Sequence, residues 1–431
     1  MYFLYDCLQL LFLLFLLPKI VWQRVFYGRF KNCFAFYFSL SLPKVKPKKG
    51  TVYLIYAVSM GETKAAYSLF HKMKQACHED QFYIISRTST GHSEAKKIME
   101  AADGHFFMPI DFSWGMKRFL KRLKPDVVIV VENDFWLNFL RISRSVGAFV
   151  VLVSGKVSLR SFHRFQTFSF FSGRLFSCFN LICAQSDLFR KRFIDLGVDP
   201  SNVCITGDLK CDTSFEKIDT EELKRKLGIQ KKDRVLVVAS THFQEEEAVL
   251  KALHPLWEKI PHLKLVIVPR HPERFLEVEG MLQKQAIPVI SYSLIGQKTG
   301  SEQIILVDAM GMLLSIYQIA ELAIVGGSFF KRLKGHNIFE PIQVGVPVLF
   351  GPYMGDQRGL VESVLLAKAG RQACLKDLFF HVEELLQDLS LYQEMQKQGA
   401  VLLQQMKGSS SRTWESICEK KAEFKKELFE I

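Results

Sequence analysis

Several common signatures are missing from this chain, and each absence excludes something. Among its nine cysteines there is no C-x-x-C pair and no metal-ligand spacing, so neither a zinc ribbon nor a thioredoxin-like redox centre is expected. Cys183 lies in the apolar run LICAQ, and free thiols in a reducing compartment are the expectation. No G-x-G-x-x-G follows an early strand pattern, which weakens nicotinamide or flavin chemistry. There is no internal repeat and no low-complexity stretch. No small-residue cleavage site follows the apolar N-terminus, so a removed signal peptide is not expected. A basic sheet with interleaved aromatics, the mark of many RNA-binding modules, is also missing, and no nucleic-acid partner is expected.

Acidic residues are short in one half only. Residues 1–212 hold 29 Lys+Arg against 16 Asp+Glu, whereas the remainder holds 28 against 28. The whole net charge of +13 therefore sits in the first half, which points to an anionic surface or substrate there. A hydrophobic content of 48% excludes disorder. At 431 residues the chain exceeds one ordinary core, so two domains are expected.

Residues 1–17 are nearly all apolar, broken only by Asp6 and Gln9 and followed by Pro18-Lys19. The segment reaches the ~20 residues of a spanning helix only if it runs to about Trp22. A helix lying in the interface is the rival. Arg24, Arg29 and Lys31 on its flank place the rest of the chain in the cytoplasm. Residues 26–42 suggest a second membrane-surface element.

From residue 51 onward, strand and helix patterns alternate. Strands are expected at 51–58, 81–87, 105–109, 126–131, 148–154, 181–185 and 203–206. A second series follows at 234–239, 263–269, 288–292, 304–307, 322–325 and 347–350. Such alternation predicts α/β domains with parallel, doubly wound sheets. The expected organisation is an anchor (1–25), a basic amphipathic linker (26–50), a Rossmann-like domain (51–208), a linker (209–233), a second Rossmann-like domain (234–380) and C-terminal helices (381–431). Two facing Rossmann-like domains make the GT-B glycosyltransferase architecture, although a fold alone does not give a function.

Polar residues at strand ends are the candidate site. Ser59-Met60-Gly61-Glu62 ends the first strand; Glu62 is either a general base on an alcohol or the N3 member of a capping box with Ser59. Glu132, Asn133 and Asp134 follow a fully apolar strand. Lys210, in GDLKCD, could meet a departing phosphate or be a linker cation. Arg270, in PRHPERF, suits a phosphate or a base carbonyl. Asp308-Ala309-Met310-Gly311 ends another strand. In GGSFFKRLKGHNIFEP, a glycine-rich break and a helix starting near Asn337 suggest a phosphate seat, with Glu340 on ribose hydroxyls. Asn337 and Glu340 also fit a capping box. No metal site is expected.

Taken in order, SMGE, ENDFW, GDLKCD, STH with acidic residues after it, PRHPERF, DAMG and GGSF…GHNIFEP resemble the 3-deoxy-D-manno-octulosonic acid (Kdo) transferases. That resemblance implies transfer of Kdo from CMP-Kdo to a lipid A precursor at the cytoplasmic side of the bacterial inner membrane. The donor is a substrate, and no cofactor is implied. Glu62 would be the base, and Glu132 and Lys210 would stabilise the transition state. CMP would contact Pro269, Arg270, Met310, Gly311, Met312, Asn337 and Glu340. With an ordinary pKa of about 4.3, Glu62 would act by position. The chain departs from the family pattern at Tyr56 (usually His), Asp134 (Glu), Ser154 (Asn), Lys156 (Arg), Met312 (Glu) and Lys334 (Gly). Another GT-B sugar-nucleotide transferase or epimerase, and a non-catalytic basic membrane protein, are the alternatives.

Overall fold

Apolar runs that do not alternate, such as Val127–Val131 and Leu322–Val325, bury side chains on both faces and demand a parallel sheet covered by helices on each side. The computed structural model, which describes residues 2–27, 34–39, 41–213, 215–285, 287–355 and 357–429, contains two such sheets. In the first, β1 (Val52–Tyr56), β2 (Gln81–Ser86), β3 (Gly104–Phe107), β4 (Val127–Val131), β5 (Phe149–Gly155), β6 (Leu181–Ala184) and β7 (Val203–Ile205) run in the order β3-β2-β1-β4-β5-β6-β7. Every pairing is parallel. Along β1, Val52, Leu54 and Tyr56 enter one core while Tyr53 and Ile55 enter the other.

The second sheet holds β8 (Arg234–Thr241), β9 (Leu263–Pro269), β10 (Val289–Ser291), β11 (Ile304–Leu306), β12 (Leu322–Val325), β13 (Val348–Phe350) and β14 (Gly370–Gln372). Their order is β10-β11-β9-β8-β12-β13-β14, again all parallel. Each run expected from the sequence is a strand. Only β14, the edge tripeptide Gly-Arg-Gln, escapes sequence reading, because it has no apolar pattern.

The chain divides into Met1–Ser214 with Gly408–Ile431, and Phe215–Lys407. The C-terminal helix Ser409–Phe429 thus returns to the first unit, where Ile417 is fully buried against that sheet. Its start is fixed by Asp212, whose carboxylate accepts the N–H groups of Gly408 (2.7 Å) and Ser410 (2.6 Å). Capping of this kind satisfies donors that a helix start otherwise leaves open.

The N-terminal helix α1 (Tyr2–Tyr27) is built in reverse of an ordinary surface helix. Three of its polar residues face the protein: Tyr5 donates to Asp111 (2.9 Å), Gln9 donates to Tyr5 (2.9 Å), and Asp6 accepts from Ser113 N (3.2 Å) and the Asn138 side chain (2.7 Å). Its outward side exposes Phe3, Leu4, Leu8, Leu11, Leu14 and Phe15. Among the described residues, no helix is long and apolar enough to cross a membrane. Of the two topologies open for the anchor expected over 1–25, a spanning helix is therefore not among the described elements; α1 contains Pro18, and its inner face carries Asp6 and Gln9. The expected element at 26–42 falls partly on 28–33 and 40, which lie outside the described residues; within it α2 (Phe34–Tyr37) is a single turn.

Candidate active site

Open parallel sheets present ligands at the carboxyl ends of their strands, where the strand order reverses. In the first unit that reversal falls between β1 and β4. Ser59–Glu62 leave the first of these strands and Glu132–Trp136 the second, so the topology alone brings the sequence candidates together.

Glu62 opens α3 (Met60–Ala76), with Ser59 as N-cap and a Ser59 Oγ bond from the Glu62 N–H at 3.4 Å. Its own carboxylate accepts the Val58 N–H at 2.7 Å. Cap and base are therefore not exclusive alternatives, since closing the turn with one oxygen fixes the direction of the other. Burial, opposed by the Val58 bond and reinforced by Glu132 and Asp134, pushes this carboxyl up to about 7. The ordinary carboxylate value expected from sequence does not hold.

Glu132 sits in the left-handed region, at φ 66. Its N–H donates to Val153 O (3.0 Å) and its carbonyl accepts from Lys156 N (3.3 Å). Only 4% exposed, its carboxylate lies 2.6 Å from Lys156 Nζ and 2.5 Å from Lys210 Nζ. Burial works against ionisation of Glu132, but Lys210 and Lys156 outweigh it and hold the pKa below the usual range. Burial likewise opposes the charge on Lys210, and Glu132 with Asp208 more than compensates. Two ammonium groups thus share one carboxylate close to Glu62, and Asp208 also acts on Lys210.

The GDLKCD segment divides its labour. Asp208 caps the turn Leu209–Asp212 and accepts from Ser154 Oγ at 3.0 Å, Asp212 caps the returning C-terminal helix, and Lys210 alone reaches Glu132.

Most departures from the family pattern have a physical account here. Tyr56 and Asp134 touch: the phenol donates to the Asp134 carboxylate, so a long side chain meets a short one. Asp134 also accepts the Trp136 indole N–H at 2.8 Å. Lys156 keeps the cation beside Glu132. Ser154 (φ 52) and Lys334 (φ 66) both have left-handed backbones, which suit Asn and Gly.

In the second unit the reversal lies between β8 and β12. The expected phosphate seat at Gly326-Gly327-Ser328 is filled from within the protein. The carboxylate of Glu245, fully buried, accepts the N–H groups of Gly327 (2.6 Å), Ser328 (3.0 Å), Phe329 (3.0 Å) and His242 (3.1 Å). A buried carboxylate needs such donors, and it takes those the sequence had suggested for a ligand. The helix that follows, Phe339–Gln343, is one short turn with Ile338 as N-cap. Asn337 and Glu340 are therefore not the N-cap and N3 pair expected. Instead Asn337 Oδ1 accepts the Phe339 N–H (3.0 Å) and its amide donates to Glu340 (3.2 Å), pairing the two candidates.

Pro269 ends β9, and the exposed Arg270 anchors its N–H to Thr241 O at 3.0 Å. Met310 is exposed beyond β11, Gly311 has φ 84, and half-buried Met312 is the N-cap of the helix Leu313–Gln318. That helix packs on Phe339–Gln343, and Tyr317 feels the charge of Glu340.

Sequence reasoning missed a histidine cluster. His242 and His336 face each other Nε2 to Nε2 at 2.6 Å with parallel rings, and the His271 ring lies 5.1 Å from that of His242. Burial, with His242 and Arg270 nearby, pushes His336 down to about 4, and His242 is also lowered by burial and by His271. Both rings are thus neutral at pH 7, and Arg270 supplies positive charge. A Cβ on Gly327 would stand 2.5 Å from His336, and its φ of 68 also favours glycine. The missed signal was positional: STH and GHN follow β8 and β12, which are neighbours. Among the described residues, no group of His, Cys, Asp and Glu is arranged to hold a metal ion.

Residues 29–213 match the family model described as 3-deoxy-D-manno-octulosonic-acid transferase (kdotransferase). The chain is 32% identical to the 3-deoxy-D-manno-octulosonic acid transferase of Chlamydophila psittaci, over 96% of this chain and 95% of that one. It is also 32% identical to the Haemophilus influenzae transferase of the same description, over 75% of each. Among solved structures, UDP-GlcNAc 2-epimerase from Neisseria meningitidis superposes with a TM-score of 0.64 at 12% identity, covering 86% of this chain and 100% of that one. That likeness concerns the fold alone.

Proposed function

Because the chain belongs to the 3-deoxy-D-manno-octulosonic acid transferase family, a family of glycosyltransferases, we propose that it moves Kdo from CMP-Kdo to the glucosamine 6-hydroxyl of a lipid A precursor, lipid IV(A), with inversion. The observation that carries this reading is Glu62, with its pKa near neutrality, beside the Lys156–Glu132–Lys210 group. Glu62 takes the hydroxyl proton as the oxygen bonds to the anomeric carbon, the bond from that carbon to the phosphate oxygen breaks, and CMP leaves. The anomeric carbon has no hydroxyl beside it at C3, so an oxocarbenium-like transition state is accessible. Lys210 and Lys156 offset negative charge at the reacting centre from a partly dry setting, where such charges act strongly. This chemistry calls for no metal and no cofactor, and no nucleic-acid partner enters it. The test is incubation with CMP-Kdo and tetra-acylated lipid A precursor, reading product mass. An unchanged acceptor mass sinks the proposal.

Nucleotide retention falls to the second unit. Arg270, the cation of the histidine cluster, is proposed for phosphate or base, the Asn337–Glu340 pair for ribose, and Pro269 with Met310–Met312 for the base edge. Arg270→Ala and Glu340→Ala should each weaken CMP binding by about tenfold or more, from loss of a charge-assisted hydrogen bond. Titration calorimetry with CMP measures this; unaltered affinity in both variants would move the nucleotide elsewhere.

The outward apolar face of α1 and the basic first half support attachment to the cytoplasmic face of the bacterial inner membrane, with α1 lying in the interface. Leu11 and Phe15 are 63% and 82% exposed. Burying each in lipid is worth ~1.5–3 kcal/mol, so Leu11→Asp with Phe15→Asp should cut flotation with anionic vesicles by at least about 10²-fold. Undiminished flotation would leave the basic residues as the sole attachment.

A further inference from the structure

Beneath α1 lies a cavity of about 500 Å³ that no part of the proposed chemistry uses. We propose that it holds one fatty-acyl chain of the acceptor lipid, with α1 as its roof. The proposal rests on the lipid-acceptor reading above and assigns one of that acceptor's chains a place.

The lining decides the chemistry. Phe12, Leu13 and Leu16 form the roof, spaced to share one face of α1, and Met108, Pro109 and Ile110 after β3 form the opposite wall. The size falls within the ~300–1,000 Å³ of ligand pockets. Two of the polar residues at its margin are already engaged. Gln9 donates to Tyr5, while the Asp111 carboxylate accepts from Tyr5, Asn138 N (2.9 Å) and Phe139 N (2.8 Å). A sugar or nucleotide would lose its polar hydration there with little return, whereas a hydrocarbon chain gains by leaving water.

Position decides the partner. Val58 lines the cavity, and its N–H is the donor that holds Glu62. Trp136 also lines it, and its indole N–H binds Asp134. A chain lodged here therefore keeps its headgroup at the candidate base. At the same margin the exposed Arg87 guanidinium stacks 4.1 Å from the Trp136 ring, a cation suited to a headgroup phosphate. Leu11, Leu14 and Phe15 on the other side of α1 are open to a bilayer. A single helix thus has lipid-compatible surfaces outside and inside, so a chain could pass from membrane to cavity without crossing water.

Two measurements on the full chain test this. Myristate carrying a terminal diazirine, photolysed with the protein in detergent, should label the Met108–Ile110 peptide as well as α1. Label confined to Leu11, Leu14 and Phe15 would overturn the proposal, because the probe would then see only the outer face. In the second, Leu13→Trp fills the cavity and should lower kcat/KM for the tetra-acylated acceptor at least about tenfold relative to the fully deacylated disaccharide. An unchanged ratio overturns the proposal. Labelling needs no turnover, so a failed transferase reading and a failed cavity are told apart. A milder substitution, Leu16→Phe, scored by the same ratio, covers the case in which Leu13→Trp does not fold.

Discussion

Glu62→Gln should keep CMP affinity and lose at least ~10²-fold in turnover, the low end for a positioned acid–base group. The amide oxygen can still accept the Val58 N–H, so the start of α3 survives while the base is gone. Wild-type kcat/KM should fall about tenfold per unit as pH drops below about 7, where Glu62 takes up its proton, and level off above it. The Gln variant should lack that limb. Stability gives a second reading. The folded-state pKa of Glu62 is raised, so its favourable contribution is full below the unfolded value and is lost as pH rises through about 7. Glu62→Gln should therefore melt higher than wild type near pH 8, with the difference closing near pH 4. Turnover within a few-fold of wild type would leave Glu62 as a helix cap and nothing more.

Glu132→Ala should be the most damaging single change, affecting activity and folding together. Both Lys156 and Lys210 pair with this one buried carboxylate, and removing it takes that partner from both ammonium groups. Breaking a fully buried pair from one side costs ~3–5 kcal/mol. The lysine side chains are 21% and 31% exposed, so solvent should hold the loss near or below the lower figure. Lys210→Met differs, because Glu132 keeps Lys156. It should fold with a smaller loss while turnover falls by ~10²-fold or more, as for other electrostatic stabilisers. Chemical denaturation and steady-state rates for the two variants check the contrast. Equal destabilisation would mean that Glu132 is not the shared centre of the group.

How much was legible follows from what each feature depends on. Strand runs are local, so LIY, VVIVV and LAIV announced buried parallel strands, and the polar residues after them announced the strand-end candidates. The pKa of Glu62 departs from the ordinary value the sequence suggests, because desolvation depends on what is packed around a side chain. The glycine-rich turn after β12 did look like an anion seat, and it is one, but Glu245 from another segment occupies it. The histidine pair was invisible because His242 and His336 are 94 residues apart and meet only through strand order.

By itself the sequence determined the α/β class, two sheets, the charge split between halves and the ordered motifs of the family, since these depend on composition and short-range period. Only the tertiary structure decided which side of α1 meets the protein, why Asp212 belongs to the C-terminal helix, and that one carboxylate serves two lysines. Those are long-range pairings, fixed when buried polar groups find their partners and not by the residues beside them in the chain.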